Sequence, residues 1–101
     1  MTCDRTAEGY DLLIESAKKL INARLFSEAR AKVRQAIAAR PETAAEAYNL
    51  LGVLDELEGE RVKAQANYRV ALDLQPDYKP AAANLHRSTR PAADRGGFSF
   101  E

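Results

Sequence analysis

The chain has 101 residues, of which 15 are Lys or Arg and 15 are Asp or Glu, so its formal net charge is zero. This length allows one domain, and the balanced charge argues against a general binder of nucleic acid or of membrane surfaces. The only cysteine, Cys3, excludes an internal disulfide, and no stretch has the roughly 20 apolar residues of a membrane span. These two features predict a soluble, cytoplasmic protein. Alanine is abundant and β-branched residues are few, which predicts that the chain is helical.

Apolar residues recur at steps of three and four, which is the spacing of one helix face. The pattern predicts helices at 8–23, 25–39, 43–58, 60–74 and 77–90. No strand is predicted. Residues 1–7 and 91–101 are predicted to be flexible ends around a single domain at 8–90, since Pro91 and the Gly96-Gly97 pair break regular structure.

Several residues are candidates for starting or ending these helices. Ser27 can cap the second helix, and Pro41 forbids its continuation. Thr43 and Glu46 have the spacing of a capping box at the start of the third helix. Gly59 suits the left-handed conformation that ends a helix.

The fifth predicted helix stands alone after the two pairs. Asp77 can cap it, Pro80 is tolerated in its first turn, and Pro91 ends it.

The first two predicted helices repeat in the third and fourth. The matching pairs, each 35 residues apart, are Ala17 with Gly52, Ala29 with Ala64, Val33 with Tyr68, Ala36 with Ala71, Ile37 with Leu72, and Pro41 with Pro76. Small residues at 17, 29, 52 and 64 are expected where paired helices cross, because larger side chains would force the axes apart. His86 takes a slot that would otherwise be small, which predicts that no partner helix crosses the fifth helix.

Residues 45–78 resemble the tetratricopeptide repeat, a unit of about 34 residues. The residues that carry the resemblance are Tyr48, Leu51, Gly52, Gly59, Ala64, Tyr68, Ala71 and Pro76. Asp55 departs from the pattern, since the family has an aromatic residue there, and this predicts a weaker contact. The resemblance implies an all-α fold, a short right-handed α-solenoid of antiparallel helix pairs. Its repeats would span about 10–43 and 45–78, followed by a capping helix at 77–90.

In this family the first helix of each pair lines a concave surface that holds a peptide or a helix. The resemblance places on that surface Asp11, Ile14, Lys18, Ile21, Asn49, Val53, Glu56, Ala83, Arg87 and Arg90. One branch of the family clamps the terminal carboxylate of chaperone peptides with basic and Asn side chains. Those slots hold Ile14, Lys18, Leu50, Pro80 and Asn84 here, so the clamp is absent and chaperone binding is not expected.

The resemblance implies a non-catalytic adaptor that binds a segment of another protein. A self-associating structural unit is an alternative. Nucleic-acid binding through the basic second helix, with Arg30, Lys32 and Arg34, is less favoured because the net charge is zero. No metal site, cofactor or catalytic centre is predicted, since His86 is the only histidine and no glycine-rich phosphate loop is present.

The C-terminal residues contain two aromatic side chains, Phe98 and Phe100, which alternate along an extended segment. They are either solvated or form a binding motif. As a motif, they would dock on a partner or on apolar surface near Leu74 and Leu85.

Overall fold

The structure, a computed structural model, describes residues 7–89. Its helices are α1 (Ala7–Asn22), α2 (Phe26–Ala39), α3 (Ala45–Leu57), α4 (Arg61–Leu74) and α5 (Lys79–Ser88), with a short 3₁₀ helix at Pro41–Thr43. Residues 7–89 contain no strand, so the all-α class and the five predicted helices are confirmed.

The predicted N-terminal caps do not form. Thr43 lies in the 3₁₀ helix rather than at the start of α3, and Glu46 pairs with Lys18 of α1 instead, with 3.1 Å between Oε2 and Nζ. Ser27 lies within α2, and Asp77 precedes the residue that flanks α5. No side-chain cap bond is made at the starts of α2 to α5. These helix starts depend on packing, which supplies most helix stability in proteins.

The turns that join α1 to α2 and α3 to α4 have the same backbone hydrogen bonds. The N–H of Leu25 donates to the carbonyl of Leu20 at 2.9 Å, and the N–H of Glu60 donates to the carbonyl of Asp55 at 2.7 Å. Both bonds reach back five residues, as in a Schellman motif. Donors and acceptors correspond at a separation of 35 residues, so the sequence repeat is also a repeat of backbone geometry.

Each turn contains one residue in the left-handed conformation. Gly59 has φ of 84°, which confirms its predicted role, and Arg24 has φ of 63° at the equivalent position of the first turn. Glycine adopts this conformation without steric cost, whereas a residue with a Cβ atom is strained there by roughly 1–2 kcal/mol. The first turn is therefore the more strained of the two.

The interior is formed where each helix packs on its chain neighbours and where α1 and α5 also contact α3. The largest apolar cluster joins α1, α2 and α3, and its members include Ile14, Ala17, Ile21, Ala29, Val33, Ala36, Leu50 and Leu54. A smaller cluster between α3 and α4 contains Val53, Ala64 and Tyr68, with Leu85 of α5 packed against it. The predicted crossing residues at 17, 29, 52 and 64 are all buried, as expected.

The crossing of α3 and α4 leaves no room for a side chain at Gly52. A Cβ atom there would lie 2.2 Å from Cε1 of Tyr68, far inside van der Waals contact. In the first pair, the equivalent residues are Ala17 and Val33, both completely buried. Each crossing thus matches one small residue to one larger one, and the larger tyrosine requires the glycine.

Candidate interaction surfaces

Four of the ten residues that were predicted to line a concave surface are almost completely buried. Ile14, Ile21, Asn49 and Val53 are at most 5% exposed. Ile14 and Ile21 belong to the apolar cluster that joins α1, α2 and α3. Val53 packs with Tyr68 of α4, and Asn49 is bonded to Asn84 of α5. These side chains therefore lie in contacts between helices. The expectation that these four side chains are open to a partner is therefore wrong.

The remaining predicted residues differ in exposure. Ala83 is exposed on α5, and Lys18 is half-buried between Glu15 and Glu46. Arg90, Phe98 and Phe100 lie outside the described residues.

Polar side chains link α3 to α5. Nδ2 of Asn84 donates a 2.9 Å hydrogen bond to Oδ1 of Asn49, and both side chains are buried. Arg87 forms an ion pair with Glu56, and both of its terminal nitrogens donate to that carboxylate. α5 is thus fixed in register on α3, because a shifted helix would leave buried polar groups without partners.

Glu56 also ties α4 into this arrangement. The hydroxyl of Tyr68 donates a 2.6 Å hydrogen bond to Oε1 of Glu56. Burial, followed by this bond, raises the pKa of Tyr68 well above its usual range. Glu56 and Arg87 were predicted to face a partner, but here they hold three helices together.

Asp55 joins the two helix pairs. This role was not predicted from the sequence. Its carboxylate accepts a hydrogen bond from Nη1 of Arg30 on α2 at 3.2 Å and from Nδ2 of Asn67 on α4 at 2.6 Å. Arg30 also pairs with Glu58 at 2.5 Å. The predicted weakening of the contact at this slot is offset, because hydrogen bonds replace the missing aromatic packing.

This polar cluster borders a cleft of about 560 Å³ between α2 and α4. The cleft is lined by Arg30, Arg34, Leu51, Asp55, Glu58, Glu60, Lys63, Ala66 and Asn67. Its lining residues come from α2, from α3 with the turn that follows it, and from α4, and they include none of the residues that were predicted for the concave surface. We refer to it below as the α2–α4 cleft.

No helix within residues 7–89 has both the length and the apolar character that crossing a bilayer requires. The same range holds no group of three or more His, Cys, Asp and Glu side chains arranged to bind a metal ion.

The chain is similar to the Probable biofilm formation methyltransferase WspC of Pseudomonas putida, with 29% identity over 94 residues. The alignment covers 93% of this chain but only 22% of that protein. No family model matches the chain, and no solved structure matches it.

Proposed function

We propose that the chain is a non-catalytic, tetratricopeptide-like module that binds a segment of another protein. The observation that carries this proposal is the recurrence of the Schellman turn, with its left-handed residue, at a separation of 35 residues. Helix pairs that repeat in backbone geometry and contact mainly their neighbours are typical of α-solenoids. These folds present extended surfaces to protein partners.

The similarity to a protein named as a methyltransferase supports an accessory role. This chain corresponds to only 22% of that protein, so the module would act beside a separate reaction centre rather than contain it. The absence of any disulfide-forming cysteine pair fits our proposal that the module works in the cytoplasm.

Self-association is the second candidate. Leu12 and Val62 are 64% and 77% exposed, so each offers apolar surface for contact with a second copy of the chain. Single exposed apolar residues are common on monomers, so we place this below partner binding.

Selection of binders from a displayed peptide library tests the proposal. We expect the folded chain to enrich a segment that then binds with a saturable one-to-one stoichiometry by calorimetry. The control is Gly52→Leu, which overpacks the α3–α4 crossing and should not enrich that segment. Failure to obtain any saturable ligand, together with concentration-dependent assembly by light scattering, would favour self-association.

A further inference from the structure

We infer that the α2–α4 cleft is a docking site for an extended, acidic segment of another protein. The inference rests on the proposed function and gives it a surface and a partner chemistry. A volume of about 560 Å³ is typical of ligand sites. It suits a few side chains of an extended segment better than a helix, whose diameter is about 10–12 Å.

Two of the three acidic side chains in the lining already have partners. Arg30 pairs with both Asp55 and Glu58, and Asn67 donates to the second oxygen of Asp55. These bonds connect α2, α3 and α4, so they also hold the two sides of the cleft at a fixed separation. A carboxylate entering the cleft would therefore meet a rigid site in which two of the three lining carboxylates are engaged.

Two basic side chains in the lining remain available. Arg34 of α2 and Lys63 of α4 are exposed, and within residues 7–89 neither has an ion-pair partner. They come from opposite sides of the cleft, so an acidic residue lying along it would be flanked by positive charge. Charge-assisted hydrogen bonds from Arg and Lys to carboxylates are among the stronger polar contacts.

The rest of the lining narrows the choice of partner. Leu51 and Ala66 offer apolar contact for an aliphatic side chain beside the acidic one. Glu60 is exposed and disfavours a second acidic group at its end of the cleft. Among the described residues, the lining contains no aromatic side chain, and single-stranded nucleic acid binds largely by stacking its bases on such groups. The cleft therefore favours a peptide over a nucleic-acid strand.

The test uses the whole chain and two short peptides with blocked termini. One has a Glu-Leu-Glu core and the other a Gln-Leu-Gln core. In NMR titrations at low ionic strength, we expect the Glu peptide to shift the amides of Arg34, Lys63 and Ala66. We expect it to bind about fivefold more tightly than the Gln peptide, the ratio for two exposed ion pairs of about 0.5 kcal/mol each.

Variants of the lining provide a stricter test, because two of them should change the binding of the Glu peptide in opposite directions. Arg34→Gln/Lys63→Gln should abolish the preference for the Glu peptide, whereas Glu60→Gln should tighten its binding. The control Lys19→Gln/Arg69→Gln removes the same charge from exposed residues outside the lining and should preserve the preference.

Four results would overturn the inference. The first is equal binding of the two peptides, and the second is an equal loss of the preference for the Glu peptide in the two double variants. The third is a set of amide shifts centred on Lys18 and Ala83. The fourth is tighter binding of oligothymidylate than of the Glu peptide at the cleft. The proposed function would survive the third result, since a protein segment would still be bound. Only failure of the library selection would contradict the function itself.

Discussion

Gly52→Ala tests whether one missing methyl group sets the crossing of α3 and α4. The added Cβ would lie 2.2 Å from Cε1, 2.5 Å from Cδ1 and 2.8 Å from Cζ of Tyr68. Carbon atoms in contact are about 3.5–4.0 Å apart, so the ring or the helix must move by more than about 1 Å. The ring is fully buried, and its hydroxyl is held at 2.6 Å by Glu56, so it cannot move without losing that bond.

The cost follows from three contributions. Overpacking typically costs about 1–3 kcal/mol. Pulling the hydroxyl away from a charged acceptor adds about 1.5–3 kcal/mol. Replacing glycine by alanine inside a helix returns about 1 kcal/mol. We therefore expect Gly52→Ala to lower the free energy of unfolding by about 1.5–5 kcal/mol.

Urea unfolding followed by circular dichroism measures this cost. The matched control is Ala17→Gly in the equivalent slot, which removes a methyl group and should cost about 1 kcal/mol through helix propensity. In a Tyr68→Val background, which reproduces the residue opposite Ala17, Gly52→Ala should be far less costly, with a coupling energy of about 1–3 kcal/mol. A cost below about 0.5 kcal/mol in the unmodified chain, or an equal cost in both backgrounds, would refute the reasoning.

Three further predictions concern other sites. Gly59→Ala should cost about 1–2 kcal/mol in urea melts, and Arg24→Gly should gain up to about 1 kcal/mol although it loses the cation–π contact of Arg24 with the Phe26 ring. A stabilising Gly59→Ala or a destabilising Arg24→Gly would show that the left-handed residue is not strained. Arg87→Ala should cost about 3–5 kcal/mol, because it leaves a buried carboxylate without its cation, and a loss below about 1 kcal/mol would show that the pair is dispensable. Burial raises the pKa of Tyr10 to about 12 and also raises the pKa of Tyr68. Above pH of about 10 the unfolded chain therefore loses protons that the folded chain keeps, and stability should fall as the pH rises; melts with equal midpoints at about pH 8 and about pH 11 would contradict this.

Much of the fold follows from spacing in the sequence. Five helices and the small residues at their crossings could be predicted, since apolar periodicity and a 35-residue self-match depend only on positions along the chain. The caps could not. Thr43 and Glu46 satisfy a local pattern, yet Glu46 pairs with Lys18, 28 residues earlier in the sequence. A local signal is overridden where packing brings a better partner.

The candidate sites were harder to predict for a related reason. Helical phase identified one face shared by α1, α3 and α5, but not how closely those helices pack. Asn49 is buried against α5, and Val53 is buried in the cluster between α3 and α4, where an open surface was expected. The α2–α4 cleft depends on Asp55, whose only sequence signal was a charged residue in an aromatic slot. Its partners Arg30 and Asn67 become apparent only once both helix pairs are in place.

The two repeats solve one packing problem with different sets of three residues. In the first, Ala17 is matched by Val33, and the next position on the inner face is the buried, apolar Ile21. In the second, glycine at position 52 admits Tyr68, whose hydroxyl requires a polar partner in the slot equivalent to Ile21.

That slot holds Glu56, which is one turn of helix beyond Gly52. Its carboxylate accepts the hydroxyl of Tyr68 and then pairs with Arg87, which holds α5 against α3. A valine at position 68 would have no hydroxyl to donate to Glu56. Gly52, Tyr68 and Glu56 therefore depend on one another. The packing of α5 against α3 is therefore coupled to Gly52 at the α3–α4 crossing, through Tyr68 and Glu56.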